Sequence, residues 1–451
     1  MSAATTTPHT PWPTVKLGDV CEVARGGSPR PIKSYITQAV DGLNWIKIGD
    51  VSPNGKYIEK TAEKIKPSGL NKTRQVAIGD FLLSNSMSFG RPYILKIDGC
   101  IHDGWLVLRG FRDVLEENFF YYLLRTEYVH SQFELYASGS TVRNLNTKSV
   151  ESVLIPLPPL DVQREIVAKV EAGLKEADGL VAHFKRLAAL ADDTFKAELD
   201  ETFSTLNAPS VKLGEQGSAE DLYQQIQAKK AELIKAGKLK KEKPLPPISS
   251  KDIPFEIPST WKWVRLGDIV DVRDGTHDTP KYVPNGVPLV TSKNLVNGAI
   301  DFTTAKQISY ADAATINIRS SVDDGDILFA MIGTIGNPVL VRKDREFSIK
   351  NMAVFKPIDG CSFRMEYLMQ FLVKAQADMR KVTNASVQTF VSLSFLRCYL
   401  FPLPPLDIQR EIVGKLEAVK ARCEQLKGEA ERGLKAAEAL RKAVLAEAFE
   451  Q

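Results

Sequence analysis

Between residues 14 and 154 the apolar positions come in short runs cut by Gly, Pro and Asn, the pattern of brief strands. Asn44–Ile48, Gln75–Ile78 and Trp105–Arg109 are such runs. From Glu117 to Tyr136 the aromatic and aliphatic residues recur at helical spacing instead, which predicts one helix there. Residues 262–401 follow the same plan, with Phe363–Val382 as the matching helix. After each Pro-Leu-Pro-Pro-Leu the pattern changes: proline lacks a backbone donor and biases its predecessor away from helix, so a helix begins only beyond it. Asp161 and Asp407 are then the expected N-caps. Downstream, Ile166, Val170, Leu174, Ala177, Val181, Phe184, Ala188, Ala191 and Phe195 fall at steps of three and four. Ile412, Leu416, Val419, Cys423, Leu426, Ala430, Leu434, Ala437, Leu440 and Val444 do the same. A seam sustained this far needs a partner, and the nearest one is the other helix, paired antiparallel. Each helix of about 40 residues would be about 60 Å long.

The two halves are copies. Residues 155–172 (IPLPPLDVQREIVAKVEA) and 401–418 (FPLPPLDIQREIVGKLEA) agree at 14 of 18 positions, at a shift of 246. Trp12–Asp19 (WPTVKLGD) matches Trp261–Asp268 (WKWVRLGD), Gly79–Leu83 matches Gly325–Phe329, and Phe89–Pro92 matches Ile335–Pro338. This shift far exceeds the roughly 20–50 residues of a solenoid repeat, so whole domains are duplicated. Between these anchors the copies diverge, as expected when loops on a common frame carry recognition. A two-part ligand follows.

Composition narrows the class without naming it. At 43% hydrophobic and 25% charged the chain is an ordinary folded protein, and its net charge of +4 permits nucleic-acid binding without requiring it. Cys21, Cys100, Cys361, Cys398 and Cys423 are scattered singly, which argues for a reducing cytoplasm and against disulfides or zinc. Residues 1–13 read as a frayed start rather than a secretory leader, and no apolar run approaches membrane-spanning length. Residues 207–260 read as a connector, first polar and helical, then Pro-rich and extended; its Lys cluster at 238–243 is either solvated or phosphate-facing. The five histidines have no metal-ligand spacing, and Gly428 and Gly433 lack the lysine of a phosphate loop. The chain reads as a binder rather than a catalyst.

A duplicated domain of about 150 residues, a PLPPL-D-x-QREIV phrase after each copy and a long helix behind each phrase together resemble the specificity subunit of type I restriction–modification systems. The resemblance implies an α+β fold. Two similar tandem target-recognition domains would each be followed by a long helix, the helices forming an antiparallel coiled coil with pseudo-twofold symmetry. The implied boundaries are 1–157 and 261–403 for the domains, 158–206 and 404–451 for the helices, and 207–260 for the connector. It further implies double-stranded DNA as ligand, an asymmetric split site, and two methyltransferase and two motor-nuclease subunits as partners. No membrane is involved. S-adenosylmethionine, ATP and Mg would sit on those partners and none on this chain.

Reading a duplex calls for hydrogen-bonding groups on segments thin enough for the major groove, with cations to fix phosphates. In copy one the candidates are Arg25, Ser28, Arg30, Lys33 and Tyr35, then Ser84, Asn85, Ser86, Ser88 and Arg91, then Arg143. In copy two they are Arg273, Thr276, His277 and Lys281, then Ser292, Lys293 and Asn294, then Thr334 and Asn337, and Gln388. Two other readings compete. A self-contained restriction–methylation enzyme would need a methyl-donor domain, for which no stretch is large enough. A coiled-coil scaffold that never reads DNA would leave the divergent, Arg-bearing loops unexplained.

Overall fold

The repeated opening phrase and the repeated closing phrase meet in each copy. The computed structural model describes residues 12–52, 55–85, 89–137, 144–204, 218–384 and 390–450. In it Thr14–Lys16 pairs antiparallel with Leu154–Pro156, and Lys262–Arg265 pairs with Leu400–Leu403. Val15 stands opposite Ile155, and Val264 opposite Phe401. Each domain therefore starts and ends at one place, from which its long helix departs.

The chain divides into two compact units, residues 1–186 with 430–451, and residues 187–429. Each unit takes in part of both long helices. In the first unit one sheet has the order Glu22–Arg25, Trp105–Arg109, Phe81–Ser84, Pro92–Leu95, Tyr57–Ile58. A second has the order Ile36–Thr37, Glu63–Ile65, Leu43–Ile46, Gly99–Ile101, Arg74–Val76. The second unit repeats this with Asp271–Asp274, Met352–Lys356, Ile327–Ala330, Gly336–Leu340, and with Tyr282–Val283, Lys306–Ile308, Val287–Val290, Ser348–Ile349. Where copy one has a short 3-10 helix at Pro67–Lys72, copy two has the longer α-helix Tyr310–Ser320.

The central strands are buried on both faces. Phe81, Leu83, Leu106 and Leu108 pack with Phe119 and Phe120, whereas Leu82, Trp105 and Val107 pack on the other side with Ile46 and Tyr93. Copy two alternates likewise, Ile327, Phe329, Ala353 and Phe355 on one face and Leu328, Ala330, Met352 and Val354 on the other. Period-two alternation explains both.

The expected helix of copy one is broken into Glu117–Leu123 and Glu127–Ala137. Buried Thr126 causes the break: its hydroxyl donates to Leu123 O (2.7 Å) and accepts from Val129 N (3.3 Å), capping a new start. Copy two has apolar Leu372 at the same shift, and Met365–Asn384 runs unbroken.

The long helices span Leu160–Ser204 and Leu406–Glu450. They start two residues earlier than those N-caps predict, because the Pro159 and Pro405 carbonyls already accept from Gln163 N and Gln409 N. Asp161 and Asp407 therefore lie in the first turn instead of capping it, where their charge favours the helix dipole. In the first unit Asp178 pairs with Arg441 (3.3 Å), Gly173 lies against Val444, and Gly433 against Phe184. In the second, Lys415 pairs with Glu198 (2.6 Å) and Lys427 with Asp192. Within each unit the numbers run in opposite directions, so the helices are antiparallel. Every expected seam residue is buried or half-buried except Leu426, which is exposed.

The invariant glutamine of each QREIV phrase is fully buried. Gln163 accepts from Glu116 N and donates to Val114 O and Pro158 O, all at 2.8 Å. Gln409 accepts from Arg364 N (3.1 Å) and donates to Pro404 O (3.0 Å). Each thus fastens the domain's own helix start to the Pro-rich turn. Gly18 and Gly267 let their short helices close on the next element, since a Cβ would stand 2.8 Å from Glu151 Cβ and 3.1 Å from Arg397 Cβ.

In the connector, Ala219–Lys235 is a helix capped by Ser218 and stopped at Gly237, φ +71°, with Lys238 N bonding Leu233 O (2.9 Å). The Pro run beyond it docks on domain two, where buried Arg265 donates to Pro246 O (2.6 Å) and Pro247 O (3.2 Å). Lysines 238, 240, 241 and 243 are exposed. Among the described residues no helix is long and apolar enough to cross a membrane.

Candidate nucleic-acid interface

The loop that leaves strand Glu22–Arg25 is laid down by its glycines. Gly26 N bonds Trp105 O (2.9 Å) and Gly27 N bonds Ile101 O (3.1 Å), and a Cβ on Gly26 would lie 2.1 Å from His102 O. Four of the expected residues then converge on Asp103. Ser28 Oγ donates to Asp103 Oδ1 (2.8 Å), and Arg30 reaches Oδ2 (3.4 Å). Arg25 Nε (3.2 Å) and Asn85 Nδ2 (2.8 Å) both donate to Asp103 O. The Ser28 hydrogen bond is the main reason the Asp103 carboxyl is held below its ordinary pKa. Arg74 Nε bonds Arg25 O (2.9 Å), and Lys72 donates to Tyr35 Oη (2.7 Å). Lys33 is exposed nearby in sequence.

Not every candidate faces outward. Ser84 and Asn85 are buried; Ser84 Oγ accepts from Arg91 N (3.1 Å), and Asn85 O accepts from Leu145 N (2.9 Å). Both shape the loop from inside. Arg91 is exposed, with its guanidinium beside the Tyr93 hydroxyl. Ser86, Ser88, Arg143 and Gln388 lie outside the described residues.

Copy two lays its loop on the same two bonds, Gly275 N to Met352 O (2.9 Å) and Thr276 N to Ile349 O (3.0 Å). His277 therefore takes the place of Ser28, and Asn351 the place of Asp103. The contact is retained with new chemistry: His277 Nδ1 lies 3.1 Å from Asn351 Oδ1. His277 Nε2 lies 2.9 Å from Asp274 Oδ2, whose other oxygen takes Arg319 at 2.6 Å. Arg273 is half-buried against Asp271 (2.6 Å), and Thr276 is half-buried. Lys281 and Thr334 are exposed.

In the polar turn after strand Val287–Val290, Lys293 is exposed and Ser292 half-buried. Asn294 is buried and accepts from Thr291 N (2.9 Å). The counterpart in copy one is Lys47–Asp50, where Asp50 Oδ2 accepts from Lys47 N (2.7 Å), a turn that sequence reasoning did not single out. Asn337 is half-buried at φ +47°, its oxygen accepting from Arg380 (3.1 Å) and its backbone N donating to Gln376 (2.9 Å). Sequence reasoning passed over Asp103, Arg74, Arg319 and Asn351. Asp103-Gly104 carries a turn signature, but nothing local ties it to Ser28, 75 residues away. Among the described residues no group of three or more His, Cys, Asp or Glu could hold a metal ion.

The frame and its loops define a protein of tandem α+β domains, each closed on itself, followed by a long helix and carrying its own set of polar loop residues. The chain belongs to the type I restriction modification DNA specificity domain family, whose model matches residues 9–177 and 258–435. The type I restriction enzyme EcoEI specificity subunit of Escherichia coli is 27% identical over 298 residues, 60% of this chain and 49% of that one. The chain thus spans about half the length of that relative. The MjaVIII specificity subunit of Methanocaldococcus jannaschii is 19% identical over 434 residues, 90% of this chain and 86% of that one. Among solved structures, the HsdS subunit from Thermoanaerobacter tengcongensis aligns with a TM-score of 0.58 at 21% identity, covering 100% and 99% of the two chains. A chain from a study of complex assembly and conformational transition in the type I R-M system aligns with a TM-score of 0.64 at 22% identity, covering 98% of each. These likenesses establish the fold.

Proposed function

We propose that this chain is the sequence-reading subunit of a type I restriction–modification complex. Each domain reads one half of an asymmetric split DNA site. The paired helices fix the separation of the halves and dock two methyltransferase subunits; two motor-nuclease subunits join for cleavage. Adenine methylation, ATP hydrolysis and cutting belong to those partners, with their S-adenosylmethionine, ATP and Mg. The chain itself is non-catalytic and works in the cytoplasm.

One observation carries this reading. Two domains keep the same loop-anchoring bonds, yet place a serine and a carboxylate at one, a histidine and an amide at the other. Identical frames with exchanged hydrogen-bonding groups are what two different base sequences demand. Exposed Arg25, Arg30, Arg74, Lys33, Lys281 and Lys293 supply cations for phosphates. A scaffold that only bound proteins through its helices would have no use for the exchange.

The test is retention of DNA by the assembled complex of this chain with methyltransferase subunits. Preferential retention of one class of sequences, falling steeply and log-linearly with salt, is the expected result. Equal retention of all sequences at every salt concentration contradicts the reading.

A further inference from the structure

Asp103 occupies a place where a purely structural residue would be redundant. The loop is already tied through its backbone, because Asp103 O takes both Arg25 Nε and Asn85 Nδ2. The side chain adds Ser28 and a long contact to Arg30, yet stays 46% exposed. A carboxylate offers about four acceptor sites, so about two remain open. Arg25 and Arg30 reach Asp103, Arg74 bonds Arg25 O, and all three are exposed, which places an acceptor beside groups that draw in phosphates.

Asn351 holds the matching place in domain two. Its backbone N bonds Thr276 O (3.0 Å) and its Oδ1 faces His277. Among the described residues nothing accepts from its Nδ2. An amide with a free donor edge and a second lone pair on its oxygen is the group that pairs bidentately with adenine in the major groove. A carboxylate, which accepts only, suits the N4 amino group of cytosine.

We propose that Asp103 and Asn351 are matched specificity positions, Asp103 selecting a cytosine in one half-site and Asn351 an adenine in the other; this rests on the DNA-reading role proposed above. Each side chain faces the loop residue that follows the anchoring bonds, Ser28 in one domain and His277 in the other, so a change at either exchanges a single letter of its own half-site. Asp103→Asn keeps the size and shape of the side chain and leaves an oxygen to accept from Ser28 Oγ, so it changes chemistry alone. Asn351, at φ +55°, sits in a conformation that Asp tolerates as Asn does.

The experiment compares the methylated motif of the complex carrying the unaltered chain with those of Asp103→Asn and Asn351→Asp. Asp103→Asn is expected to shift the preferred base at one position of one half-site, with roughly ten-fold loss of discrimination for cytosine there. Asn351→Asp is expected to shift one position of the other half. An unchanged motif in Asp103→Asn, or an even drop in methylation over all sites with no new base preference, overturns the proposal. Failure of the unaltered complex to give any split motif would instead remove the DNA-reading role itself.

Discussion

Ser28 faces Asp103 in the first domain as His277 faces Asn351 in the second, on loops hung from the same two backbone bonds. At the closing phrase of each domain, Gln163 and Gln409 do the same work with the same residue, fully buried in both copies. The contrast separates two kinds of position. Where a side chain satisfies backbone groups cut off from water, replacement leaves them unpaired and the residue is retained. Where it meets solvent at a loop tip, the frame does not depend on it and its chemistry is free to follow the ligand.

The largest way to break this comparison is at the junctions. Gln163→Ala strands one N–H and two carbonyls in the interior, and is expected to cost the first unit about 3 kcal/mol. Gln409→Ala removes two bonds and is expected to cost the second unit about 2 kcal/mol. Urea unfolding of each variant against the unaltered chain measures both; losses under about 0.5 kcal/mol would show that the glutamines are not the fasteners.

A smaller effect distinguishes the loops. His102 sits where domain two has Lys350, and burial is the main cause pushing its pKa below the ordinary 6.5. A histidine held neutral by the fold is protonated first in the unfolded chain, so stability is full above 6.5 and declines as the pH falls through and below that value. The unfolding free energy is expected to fall as the pH is taken from about 7.5 to about 5.5. His102→Gln should flatten that slope. Asp103 does not contribute in this window: its pKa is lowered from 3.8, so its share is lost only in stronger acid. An unchanged slope in His102→Gln would assign the acid sensitivity elsewhere.

Much of the frame was legible because its determinants are local. The Pro-rich stop, the seam at steps of three and four, and the strand Trp105–Arg109 are each written in consecutive residues. The helix break at Thr126 was not, because a polar residue on an aromatic face signals a cap only when its hydroxyl's partners are known. The loops were legible as chemistry but not as geometry. Asn85 and Asn294 read like Asn351 in sequence, yet the first two are buried and spend their amides on the backbone. Asp103 becomes visible only when the pairing of strands carries it to Ser28.

The most direct test of the central claim is the methylome of a host lacking adenine methylation, producing this chain together with its methyltransferase partner. Two frames with different loop chemistry predict a split motif with unlike halves and methyladenine in both, absent when the chain is omitted. A motif with two identical halves, or none from a soluble assembled complex, would contradict it.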